Sequence, residues 1–189
     1  MKDKLLNINI PNALTIFRIV LIPVFVLVFY LPGDSSHIFC AVIFLIAAIT
    51  DWLDGYLARV LNQGTPFGAF LDPVADKLMV AIALVLLVEQ QDYSLFTVAA
   101  MVIIGREIVI SALREWMAEL GKSASVAVSF VGKAKTLAQM AAIFALLLAG
   151  PQMPGYVLQL GYVLLYASAA LTLWSMAVYL SAAINEFEG

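Results

Sequence analysis

Apolar residues run along this chain in six long stretches, at roughly 13–31, 38–60, 70–88, 95–119, 125–149 and 156–184. Each meets or nearly meets the ~20 helical residues needed to cross a hydrocarbon core about 30 Å thick. Turn-forming breaks separate them: Leu31-Pro32-Gly33-Asp34, Gln90-Gln91-Asp92, Gly121-Lys122-Ser123, and Gly150-Pro151 with Pro154-Gly155. The pattern predicts an all-α, polytopic membrane protein with six transmembrane helices. A transmembrane barrel would instead show short segments of alternating hydrophobicity. Residues 1–10, MKDKLLNINI, are mildly amphipathic and stop at Pro11, which predicts a short N-terminal interfacial helix. The first apolar stretch is too long for a cleaved signal and lacks a small-residue cleavage site, so it is expected to remain as a span. With no internal repeat or low-complexity segment, residues 1–189 are expected to form a single transmembrane domain.

Composition agrees. The chain is 63% hydrophobic and 12% charged, with a mean hydropathy of +1.00. A soluble domain carries about twice that charged fraction, roughly 25%. The one cysteine, Cys40, excludes an internal disulfide and a cysteine-based metal site, and its run HIFCAVIFL makes it a small buried hydrophobe. A net charge of −3 points to no particular partner, and nucleic acid is not expected.

Orientation follows from lysine and arginine. The breaks at 31–37, 89–95 and 149–155 hold none. All ten basic residues, Lys2, Lys4, Arg18, Arg59, Lys77, Arg106, Arg114, Lys122, Lys133 and Lys135, lie toward the opposite ends of the spans. Those ends, and both termini, are therefore expected on the cytoplasmic side. Several of these charges also enter the spans. In the third, the uninterrupted apolar run is only Leu78 to Val88, about 16 Å of helix. The fourth carries Gly105-Arg106-Glu107 and Arg114-Glu115, the fifth Lys133 and Lys135. Ionisable groups at that depth are costly unless they face a polar cavity. They predict a water-filled cavity in the cytoplasmic half of the bundle.

The richest stretch is DWLDGYLARVLNQGTPFGAFLDPVADK, which places carboxylates at Asp51, Asp54, Asp72 and Asp76. Helices over 42–60 and 70–88, antiparallel through the loop Leu61–Phe67, would put each pair on one helix face and aim all four at one volume. Such a cluster repels itself unless cations sit within it, and hard oxygen donors suit Mg²⁺ or Mn²⁺. Gly55 and Ala58 would let a flat ligand approach the backbone, although small residues also serve helix packing in membranes. Gly64 and Gly68 have the spacing of a helix-dimerisation motif but lie in a polar, proline-containing loop, so that reading is rejected.

Asp51-x2-Asp54-Gly55-x2-Ala58-Arg59-x8-Gly68-x3-Asp72-x3-Asp76 resembles, at every position, the signature of the CDP-alcohol phosphotransferase family. The likeness extends to Asn12-x2-Thr15-x2-Arg18, to Arg106-Glu107 with Ser111-Ala112-Leu113-Arg114-Glu115, and to Gly132-Lys133-Ala134-Lys135-Thr136. It is closest to bacterial members that transfer a phosphatidyl group to glycerol 3-phosphate. The resemblance implies a homodimer in the bacterial cytoplasmic membrane, with a two-ion site of Mg²⁺ or Mn²⁺ facing the cytosol. It implies CDP-diacylglycerol as donor and CMP as leaving group. Asp51 and Asp72 would ligate both ions, Asp54 one and Asp76 the other, with Asp76 also the base for the acceptor hydroxyl. Asn12, Thr15, Gly55, Ala58, Arg59 and Thr65 would bind CDP-diacylglycerol.

Arg106, Arg114, Lys133 and Lys135 would bind the acceptor's phosphate, which needs such donors where a neutral alcohol does not. They could equally be positive-inside anchors or partners of Glu107 and Glu115. Lys133 and Lys135 stand about 200° apart on a helix, so both cannot point straight into one pocket. Another acceptor, such as inositol phosphate or phosphatidylglycerol, is the alternative within the family. Paired intramembrane aspartates would also suit a cation transporter, but the periplasmic halves of the spans show no polar path. His37 is expected to be a solvated loop residue. Trp116 and Trp174 are expected to anchor helices at the interface, and Lys77 only to offset negative charge.

Overall fold

The computed structural model describes residues 9–61, 65–91, 93–120 and 130–188, all helical apart from caps and turns. Six helices follow in order: α1 (Ile10–Phe29), α2 (Ser35–Val60), α3 (Pro66–Gln90), α4 (Ser94–Glu119), α5 (Phe130–Leu148) and α6 (Gly155–Glu188). Their starts are written in the sequence. Asn9 caps α1 by accepting the Asn12 N–H at 3.0 Å, with Pro11 in the first turn, where no N–H is needed. Thr65 caps α3 in the same way, accepting the Gly68 N–H at 3.0 Å ahead of Pro66. Between α1 and α2 the chain turns at Gly33, whose φ of +116° is open to glycine but not to residues with a Cβ.

Burial runs opposite to that of a soluble protein. Leu27, Phe70, Leu137 and Trp174 are each about two-thirds exposed or more, while Arg18, Asp54, Lys135 and Gln139 are buried. Lipid is the solvent that makes such an arrangement stable. A shared apolar core runs through the bundle around Phe25, Phe44, Leu84, Phe96, Ile143 and Leu165. α5 and α6 pack most extensively; a Cβ on Gly161 would stand 2.7 Å from the Leu146 side chain, so the two backbones approach there.

Four segments are long and apolar enough to cross a membrane: Ile10–Phe29, Ser35–Ala58, Ser94–Glu119 and Gly155–Ser181. The protein is a multi-pass helical membrane protein. The expected six crossings meet this measure in four cases. α3 is interrupted by Asp72, Asp76 and Lys77 in its first half, and α5 offers only the shorter apolar run Ala134–Leu148. Residues 1–8, where an interfacial helix was expected, lie outside the described residues, and Ile10 already belongs to α1.

One expectation is corrected. α2 begins three residues earlier than the apolar run suggests, so His37 is helical and half-buried, packed on Gly150 beside Phe29, Cys40 and Gln90, rather than in a solvated loop. The polar residues Ser35 and Ser36 form the first turn, with the Ser36 hydroxyl donating to the Gly33 carbonyl at 2.8 Å. Cys40 is buried as expected. The up-down order of the helices puts Asn12, Asp54, Asp72, Glu107, Lys135 and Ser175 at one end of the bundle. Tyr30, His37, Glu89 and Gln91 lie at the other.

Candidate active site

Three helices contribute the centre. α2 supplies Asp51 and Asp54 from its last third, one turn apart. α3 supplies Asp72 and Asp76 from its first half. From α1, Thr15 and Arg18 project between them, also one turn apart. The Arg18 guanidinium ion-pairs with Asp51 at 2.5 Å and with Asp54. Arg18 is 1% exposed, whereas Asp51 keeps 43% of its side chain open. The Thr15 hydroxyl, fully buried, reaches the carboxylate of Asp72 and stands 3.5 Å from that of Asp54. It thereby joins α2 to α3 through α1. Asp51 and Asp76 line one small cavity with Arg18, floored by Phe44, Ala47, Met79 and Met140. Asp51 and Asp76 thus share this cavity, while Asp54 and Asp72 are linked to each other through Thr15.

The side chains gather as linked pairs. Among the described residues no three His, Cys, Asp or Glu side chains close around a single point. Arg18 pairs with both Asp51 and Asp54 and offsets one of their two negative charges. The donor set is nevertheless suited to a divalent ion: it consists of hard carboxylate oxygens and a hydroxyl, with no soft ligand among them.

A second link fixes the entrance. Asn12 is buried and donates from Nδ2 to the Thr65 hydroxyl at 2.9 Å, tying the start of α1 to the cap of α3. Gly68, one turn into α3, lies against this pair; a Cβ there would stand 3.2 Å from Thr65 Oγ1 and closer still to Asn12 Oδ1. Gly55 differs. Among the described residues, a Cβ at that position meets no heavy atom within 4 Å, and open space adjoins the backbone beside Asp54. Ala58, one turn on, is half-buried. The Arg59 side chain lies outside the described residues.

The cations expected to bind a phosphate separate into groups. Lys135 and Arg106 converge on one oxygen, Glu107 Oε1, at 2.6 and 3.0 Å. Arg106 also donates to the Ser175 hydroxyl at 3.4 Å. Arg114, two turns further along α4, instead donates to the Tyr179 hydroxyl at 2.8 Å and lies 5.2 Å from the centre of its ring. The Lys133 side chain lies outside the described residues. Lys77, next to Asp76, donates to the Ser111 hydroxyl of α4. Trp116 and Trp174 are exposed on the outside of the bundle.

Two residues emerge that were not among the expected site residues. Arg18 carried a signal: a lone charge inside an apolar helix, one turn beyond Thr15, is a functional candidate by its cost alone. Glu107 was visible only as a possible partner for basic residues, because nothing local shows that α5 brings Lys135 to it.

Fold and site together define a helical membrane protein with an acidic, oxygen-rich centre beside a buried cationic group. A CDP-alcohol phosphatidyltransferase family profile matches residues 8–174. The chain is 58% identical over 178 residues to the CDP-diacylglycerol–glycerol-3-phosphate 3-phosphatidyltransferases of Shigella flexneri serotype 5b (strain 8401) and Escherichia coli (strain K12), spanning 94% of this chain and 96% of each relative. The Shigella boydii serotype 4 (strain Sb227) protein of the same name is equally similar. The chain belongs to the CDP-alcohol phosphatidyltransferase family, a family of enzymes that use divalent metal ions. Membership in a transferase family sets aside the cation-transport alternative.

Proposed function

We propose that this protein transfers the phosphatidyl group of CDP-diacylglycerol to glycerol 3-phosphate, giving phosphatidylglycerol phosphate and CMP. The observation that carries the reading is the placement of the Asp51, Asp54, Asp72 and Asp76 cluster and the Arg106–Lys135 cations at the same end of one bundle. The names of relatives 58% identical over nearly the whole chain supply the acceptor.

The acceptor hydroxyl oxygen bonds to the phosphatidyl phosphorus, the diphosphate P–O bond breaks, and CMP leaves with the electron pair. The hydroxyl proton passes to Asp76, the base in this reading. Asp51, Asp54, Asp72 and Asp76 would hold two divalent ions, Mg²⁺ or Mn²⁺, which when bound neutralise the diphosphate. Asn12, Thr15 and Thr65 shape the donor site, and the open face of Gly55 and Ala58 admits the cytosine nucleotide. Arg106, Arg114, Lys133 and Lys135 serve the acceptor phosphate. The enzyme works as a homodimer, a single domain of six spans in the bacterial cytoplasmic membrane, with its site on the cytoplasmic side. Lysine and arginine confined to that end of the spans support the orientation.

The test is CMP release by purified protein supplied with CDP-diacylglycerol, Mg²⁺ or Mn²⁺, and a panel of acceptors: glycerol 3-phosphate, inositol phosphate, phosphatidylglycerol and glycerol. Turnover with glycerol 3-phosphate alone is expected. A preference for any other acceptor overturns the assignment.

A further inference from the structure

Glu107 holds a position that its own charge does not account for. It sits on α4 with 24% of its side chain exposed, and two cations end on its single oxygen Oε1: Lys135 Nζ, whose side chain is 6% exposed, and Arg106 Nη1, 11% exposed. One carboxylate neutralises one cation. Among the described residues no second carboxylate pairs with the two cations, and a second positive charge at this depth is costly unless an anion completes the set. Unused donors are available for one. Among the described residues, Arg106 Nε is buried with no hydrogen-bond partner, and an ammonium such as Lys135 carries three N–H bonds.

The turn that bears Glu107 is itself held. Ser111 donates to the Glu107 carbonyl at 2.5 Å and accepts from Lys77, the residue next to Asp76. Asp76 in turn lies within electrostatic reach of Glu107. The cationic group is therefore built against the end of α3 that carries the proposed base, as a small acceptor with its phosphate a few bonds from its hydroxyl would need.

We propose that Glu107 is a positioning residue for the acceptor: it pins Arg106 and Lys135 side by side so that their remaining N–H donors meet one phosphate monoester. This rests on the function proposed above and deepens it by naming what selects a phosphorylated acceptor over a neutral alcohol. Without Glu107 the two cations repel each other and lose their common anchor. With it, the pair is arranged before the acceptor arrives, and less ordering is left to be done on binding.

The experiment compares KM values for both substrates in Glu107→Ala, Glu107→Gln, Glu107→Asp and the native full-length protein, by CMP release in lipid–detergent micelles. The native protein is first run over the acceptor panel, where use of an acceptor other than glycerol 3-phosphate overturns the proposed reaction itself. With glycerol 3-phosphate established, Glu107→Ala and Glu107→Gln are expected to raise its KM about tenfold or more while KM for CDP-diacylglycerol stays within about twofold. Glu107→Asp is expected to recover most of the loss, and Arg106→Ala to reproduce the split. If Glu107→Ala does not fold, Glu107→Gln keeps the shape and carries the same readout. An unchanged KM for glycerol 3-phosphate, a fall in it, or an equal rise for both substrates overturns the assignment of Glu107 alone.

Discussion

Gly68 lies so close to the side chain of Asn12 that a Cβ on it would overlap Asn12 Oδ1. Asn12 cannot retreat without giving up its 2.9 Å bond to Thr65, the residue that caps α3. Gly68→Ala is therefore expected to break the junction between α1 and α3. A buried amide left unsatisfied costs about 1–3 kcal/mol, which for a chain of this size lowers the melting temperature by several degrees. Thermal unfolding in detergent checks this, with an unchanged melting temperature counting against it.

Gly55 makes the opposite prediction. A methyl group there meets nothing among the described residues, and Ala in place of Gly in a helix interior gains up to about 1 kcal/mol. Gly55→Ala is expected to hold or raise the melting temperature while raising KM for CDP-diacylglycerol severalfold, because in the proposed function the added Cβ would stand where the nucleotide approaches. A stable variant with unchanged KM would remove Gly55 from the donor site.

These two glycines show what was legible in the sequence and what was not. Their spacing to the aspartates is a linear pattern and can be read directly. Whether each glycine faces a neighbour or open space depends on which helix lies opposite, and that is a tertiary fact. The same division holds elsewhere. Asp51, Asp54, Asp72 and Asp76 could be assigned to two helix faces by their period, with a short connection expected to bring those faces together. Arg18 and Thr15 complete the cluster from 33 or more positions away. That Thr15 bridges Asp54 and Asp72 while Arg18 pairs with Asp51 and Asp54 is settled by how α1 packs on both helices. Arg106, Arg114 and Lys135 looked alike as cations at one membrane face. The fold sorts them: Glu107 gathers two, and Tyr179 takes the third.

Asp76 provides a sharper test of the chemistry. Asp76→Asn removes the proposed base and one oxygen ligand while leaving Asp51, Asp54 and Asp72 in place. CMP release is expected to fall at least about 100-fold, in line with the loss of a general base. Binding of Mn²⁺, followed by electron paramagnetic resonance, should weaken without vanishing. Full activity in this variant would take Asp76 out of the reaction.

Arg18 concerns the state of the site when ions are withheld. Its guanidinium pairs with both Asp51 and Asp54 from a fully buried position, offsetting one of their two charges. Removing one partner of a buried pair costs about 3–5 kcal/mol. Most of that falls on Asp54, 3% exposed, since Asp51 is 43% exposed and screened by water. Arg18→Met is therefore expected to melt on the order of 10 °C lower than the native protein in the presence of a chelator. Because a divalent ion can supply the missing positive charge, adding Mg²⁺ or Mn²⁺ should raise the melting temperature of Arg18→Met by more than it raises that of the native protein. The measurement is thermal unfolding in detergent with and without metal, independent of turnover. Equal metal-induced shifts in the two proteins would mean that Arg18 does not neutralise the carboxylates in the ion-free state.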